Sequence, residues 1–164
     1  MRETSFITEN GVLLDNFDRV IAEVPGTIGV TPFPEQLIAK LHKLQPGYIN
    51  RLVHTHPCGM FGLSKLGEDN DTSMMRSWAM HMHPFPFRLS TLTNDGDYSF
   101  IESIYVARLE PKEIWEGRKE REKMSSYRKI TIELESEQTF YLDTCPEWVR
   151  KLILSSFNVP EGVI

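Results

Sequence analysis

Two imidazoles one residue apart, then a hydroxyl, then a run of carboxylates make up the chemically loaded part of this chain, "RLVHTHPCGMFGLSKLGEDNDTSMM", Arg51 to Met75. His54 and His56 offer two neutral nitrogen ligands, and Glu68, Asp69 and Asp71 offer oxygen ligands. That donor set suits zinc in tetrahedral geometry. A hydrolytic zinc site takes three protein ligands and leaves the fourth position to water, so one of the acids must fold back onto the histidines. The same letters also read without a metal, with His54 and His56 as strand-end residues and an aspartate capping a helix that starts at Thr72. A second His-x-His-Pro, at His81 to Pro84, is the control. It falls at the end of an expected helix, where residues i and i+2 point apart, and it reads as favourable charge near a helix C-terminus. His42, on the charged side of an earlier helix, needs no role. Cys58 and Cys145 are too few for a disulfide framework and are expected to be free thiols.

Elements must place these groups. Ser5 to Asp15 and Arg19 to Val24 suit strands joined by the turn-like "DNFD". Glu35 to Leu44 sets Leu37, Ile38, Leu41 and Leu44 at helical spacing, with Pro34 tolerated at its start and Gly47 beyond its end. "YINRLVHTH" is then a strand, and the period-two rule sends His54 and His56 to the same side at its end. Thr72 to Met82 is expected as a second helix, short on charge and therefore buried, stopped by "HPFPF". "FRLSTLTN" and "SFIESIYVARLE" read as strands around "NDGD", with Tyr127 to Glu135 and Thr139 to Leu142 a further strand or hairpin. Lys112 to Lys123 carries charges of both signs, the pattern of a solvated helix face. Pro146 to Phe157 is a last amphipathic helix with Trp148, Leu152, Ile153 and Leu154 inward. The sum is an α/β domain, a single mixed sheet flanked by helices, spanning residues 1–164.

Composition bounds the function. A formal charge of −5 gives no basic footprint for a phosphate backbone, so nucleic acid is not an expected partner. No apolar run reaches the length of a membrane span, and "MRETSFITENG" lacks a signal-peptide core, so a cytoplasmic location is expected.

The order His54-Thr55-His56-Pro57, seven residues from Pro57 to Leu63, then Ser64, resembles the motif of the JAMM (MPN+, or JAB) metalloprotease family. That motif is His-x-His, seven residues, Ser-x-x-Asp, with a glutamate upstream. The order of elements over roughly the first 90 residues is also similar. The resemblance implies a cytidine-deaminase-like architecture and a zinc ion held by His54, His56 and an aspartate. It further implies a glutamate as proton acceptor, Ser64 as an oxyanion donor, and hydrolysis of an amide or isopeptide bond at the C-terminal tail of a ubiquitin-like protein. Three residues after Ser64 this chain has Gly67 where the family has aspartate. Asp69 restores the register of an aspartate followed by a threonine three residues on and an apolar helix, and is favoured as third ligand; Asp71 is the rival. Glu9 is chosen as base because "ENGVLL" resembles the family's glutamate strand, with Glu3 and Glu23 as alternatives. Two other readings stay open. One is a catalytically silent MPN-type interaction module. The other is a RadC-like relative, which "LLDNFDRVIAEV" and the following "GT" also resemble, although Thr55 stands where that branch carries asparagine.

Overall fold

The computed structural model describes residues 8–27, 31–57, 71–96, 98–111 and 128–157. Its elements, in chain order, are β1 Gly11–Asp15, β2 Val20–Val24, α1 Glu35–Leu44, β3 Ile49–Thr55, α2 Asp71–Met82, β4 Phe87–Asn94, β5 Ser99–Pro111, β6 Arg128–Tyr141 and α3 Glu147–Ser156. The strands form a six-stranded mixed sheet in the order β2-β1-β3-β4-β5-β6. Only β3 and β4 run parallel; the other neighbouring pairs are antiparallel. A parallel pair needs a crossover, and α2 lies in it. Because the chain leaves β3 at its carboxyl end and α2 leads back toward the start of β4, the first residue of α2 returns close to where His54 and His56 sit.

Alternation along the strands splits the sheet into two faces, each with its own core. Leu13, Leu52, Leu89 and Ala107 pack with Ile38 of α1 and with Met75, Ala79 and Met82 of α2. Val12, Leu14, Val53, Leu92 and Phe100 pack on the other side against Trp148, Val149, Leu152 and Ile153 of α3. Each such side chain contributes roughly 1.5–3 kcal/mol on leaving water. The parity fixes the site: His54 shares its face with Leu52, under α2, whereas Arg51, Val53 and Thr55 face α3. α2 buries only the stripe Met75, Ala79 and Met82, leaving Arg76, Met80 and His81 exposed, so the expectation of a buried helix holds for one face. Leu44, read as an inward residue of α1, is 66 % exposed at the last turn. No helix among the described residues is long and apolar enough to cross a membrane.

The region expected as a strand or hairpin between Tyr127 and Leu142 is one long strand, β6, paired with β5 along its whole length apart from one irregularity at Ile104/Tyr105. Ser136, Glu137 and Gln138 interrupt the apolar pattern but not the strand, and the side chains of Glu137 and Gln138 are used across it. Ser103 donates to Glu137 at 3.1 Å, and Gln138 donates to Glu102 at 2.7 Å. The mixed-charge segment from Lys112 to Lys123 lies outside the described residues.

Gln138, itself exposed, reaches a polar network buried on the α3 face. Arg51, 4 % exposed, meets the fully buried Glu102 through two hydrogen bonds, Nε to Oε2 at 2.6 Å and Nη2 to Oε1 at 3.1 Å. Ser90 donates to the same carboxylate at 2.6 Å, and Arg51 Nη1 donates to Asp18 at 2.7 Å. The indole of Trp148 stacks over the guanidinium at 5.7 Å. Burial works against the Arg51 charge, but Glu102 and Asp18 outweigh it and raise its pKa above the ordinary value. Four strands and one helix are therefore tied together by groups that would each be costly to bury alone.

Candidate metal centre

β3 carries His54 near its carboxyl end and His56 follows directly after the strand, and the chain stays buried as the strand stops. His54 and His56 are 4 % and 2 % exposed. His56 has left the strand, yet its backbone N–H still donates to Leu92 of β4 at 3.0 Å, so the turn out of β3 is held to the sheet. The two rings meet edge to face with centroids 4.6 Å apart, and their Nε2 atoms lie 2.8 Å from one another. At that distance at most one Nε2 carries a proton, so at least one lone pair points into the space between the rings.

Asp71 completes the group. As the first residue of α2 it places a carboxylate at a helix N-terminus, where the peptide dipoles favour negative charge. Its Oδ2 lies 3.3 Å from His54 Nε2 and 3.5 Å from His56 Nε2. Two imidazole nitrogens and one carboxylate oxygen thus converge within 4.8 Å of one another, an arrangement that could hold a divalent metal ion. Bonds of about 2.0 Å to a tetrahedral ion set ligand atoms roughly 3.3 Å apart. The observed separations of 2.8, 3.3 and 3.5 Å bracket that spacing, so the donor set fits such an ion without rearranging the backbone.

Glu9 stands beside this cluster on the segment leading into β1. Burial pushes its carboxyl above the ordinary value, His56 and His54 pull it back, and Asp71 adds to the rise. The Glu9 carboxylate therefore feels the charges of all three members of the cluster. What positions it is Asn10. The Asn10 N–H donates to Thr55 Oγ1 at 2.9 Å, and Thr55 N–H donates back to the Asn10 carbonyl at 2.9 Å, so the residue between the two histidines fixes the segment that carries Glu9. The Asn10 side chain reaches the other way, donating to Ser156 Oγ of α3 at 3.0 Å and accepting from Gly26 N–H at 2.8 Å. Neither Asn10 nor Thr55 stood out in the sequence; a polar residue pointing to the face opposite the histidines was the available signal.

The other expected residues divide. Glu23, an alternative base, is an exposed residue of the edge strand β2 and pairs with Lys151 of α3 at 3.0 Å. Cys58, Ser64, Glu68, Asp69 and Glu3 lie outside the described residues. His81 and His83 sit at the far end of α2, about 15 Å along the helix from Asp71. His81 instead stacks on Trp78, with ring centroids 4.8 Å apart, and approaches His42 at 6.4 Å. Burial, and next to it the proximity of His81, holds the His42 imidazole below its ordinary pKa.

Comparison with protein-family models, with curated proteins and with solved structures found no match to this chain.

Proposed function

We propose that this chain is a zinc-dependent metallopeptidase of the JAMM type that hydrolyses an amide or isopeptide bond. The observation that carries the reading is the convergence of His54, His56 and Asp71 with Glu9 beside them, because it joins a three-ligand metal set to a carboxylate free of that set. The His-x-His, seven-residue, Ser order of the sequence supports the same assignment. Asp71 takes the place of third ligand.

A bound zinc ion supplies Lewis-acid chemistry, acidifying water and polarising a carbonyl. Glu9 accepts a proton from the attacking water and passes it to the departing amine. Ser64 donates to the oxygen on which negative charge develops, a contribution worth roughly 3 kcal/mol where such donors have been removed. The substrate class is the extended C-terminal tail of a ubiquitin-like protein or a comparable peptide. Such a tail binds by adding a strand to an open sheet edge, and β2 and β6 are the edges of this sheet.

The test is hydrolysis of a ubiquitin-like protein joined through its C-terminus to a lysine side chain. Cleavage by the native chain, abolished by a zinc chelator and restored by stoichiometric zinc, is the expected result. Cleavage that persists in chelator contradicts the proposal.

A further inference from the structure

His54 has a second ring nitrogen, and it is not accounted for. Its Nε2 faces His56 and Asp71, so its Nδ1 points away from the cluster, is buried, and has no hydrogen-bond partner. Among the described residues the other buried polar atoms without a partner are Thr31 Oγ1, His42 Nδ1, Thr91 Oγ1 and Thr131 Oγ1, and Thr91, 0 % exposed on β4, is the one on the strand parallel to that of His54. His54 and Thr91 are register partners on the parallel pair β3 and β4. Paired residues on adjacent strands project to the same face, and strands about 4.8 Å apart set their side chains next to one another. Leu89 precedes Thr91 on the same face of β4, and a valine would fill the threonine's space without burying an oxygen.

The chemistry of a metal-binding imidazole supplies the missing reason. When Nε2 gives its lone pair to a metal, the ring proton resides on Nδ1, and that N–H needs an acceptor to fix the tautomer and the ring angle. We infer that Thr91 is the positioning residue of the metal centre, its hydroxyl accepting the Nδ1–H of His54. The inference rests on the proposal that His54, His56 and Asp71 hold zinc. Thr91 touches neither substrate nor metal; it acts through the ring of His54.

The experiment compares zinc affinity, by competition with a chromophoric chelator, for the native chain, Thr91→Val and Thr91→Ser. Thr91→Val is expected to weaken zinc binding by about 10–100-fold, the usual loss when such a partner of a ligating histidine is removed. Thr91→Ser keeps the hydroxyl and is expected to bind like the native chain. Long-range proton–nitrogen NMR of the zinc-loaded native chain should show His54 protonated at Nδ1, with that proton slow to exchange with water. Native affinity in a folded Thr91→Val overturns the inference and leaves the metal site standing. Equal losses of affinity and melting temperature in both variants point to packing alone and overturn it too. Should Thr91→Val fail to fold, the native spectrum decides, and a fast-exchanging or absent Nδ1 proton counts against Thr91. A native chain that takes up no zinc overturns the metal reading itself and the inference with it.

Discussion

Glu9→Gln is expected to lower the rate of isopeptide hydrolysis by about 10²–10⁴-fold, the span attributable to a positioned proton acceptor, while zinc content stays at the native level. The substitution is nearly isosteric and removes the carboxylate without disturbing Asn10, whose hydrogen bonds to Thr55, Gly26 and Ser156 hold the segment in place. Glu9 is outside the three-residue ligand group, so the metal should remain. The split between lost turnover and retained zinc is what separates a base from a ligand. Loss of zinc together with activity would make Glu9 a ligand instead. Native turnover in the variant would remove it from the chemistry altogether, and Glu23 is a poor replacement because its carboxylate is engaged by Lys151 on the surface.

The second large effect concerns stability and lies on the opposite face of the sheet. Arg51→Met is expected to cost about 3–5 kcal/mol, because it leaves Glu102 as an unpaired buried charge. Glu102 is wholly buried and receives both guanidinium contacts, so solvent cannot replace what is lost. Ser90 and Gln138 still donate to it, which spares part of the penalty but does not neutralise the charge. The contact to Asp18 adds little, since that carboxylate is half exposed. The double variant Arg51→Met with Glu102→Leu should recover much of the loss, as apolar replacements of buried ion pairs commonly do. Urea unfolding of the native chain and the two variants measures both numbers. A single variant within 1 kcal/mol of native, a margin well below the expected loss, would mean that the pair is not buried as described.

How much of this was legible beforehand follows from what a linear pattern encodes. α1, β3 and α3 were readable because one periodicity and one set of end signals dominate each of them. The histidine pair was readable because alternation alone sends His54 to the face beneath α2. The third ligand was not readable in the same way. Asp69 and Asp71 are equally acidic and two residues apart, so the letters do not choose between them; the structure shows Asp71 beside the imidazoles, and Asp69 lies outside the described residues. Glu9 was chosen by resemblance, whereas its placement depends on Asn10 and Thr55, which meet across 45 residues of chain. The network of Arg51, Ser90, Glu102 and Gln138 was invisible for the same reason. Its members are single polar letters in separate strands, and each looks like an ordinary outward-facing residue until the sheet order makes them neighbours. Ser136, Glu137 and Gln138 break the apolar pattern of β6, and two of them, Glu137 and Gln138, have side-chain partners on β5 that no linear pattern shows.

The most direct test of the central claim is the zinc content of purified, tag-free protein after reconstitution and removal of excess metal, measured by elemental analysis for the native chain and for Asp71→Ala and Asp69→Ala. One zinc per native chain, retained in Asp69→Ala and lost in Asp71→Ala, is the expected result. A native chain that retains no zinc, or an Asp71→Ala chain that retains it in full, would contradict the metal centre built on His54, His56 and Asp71.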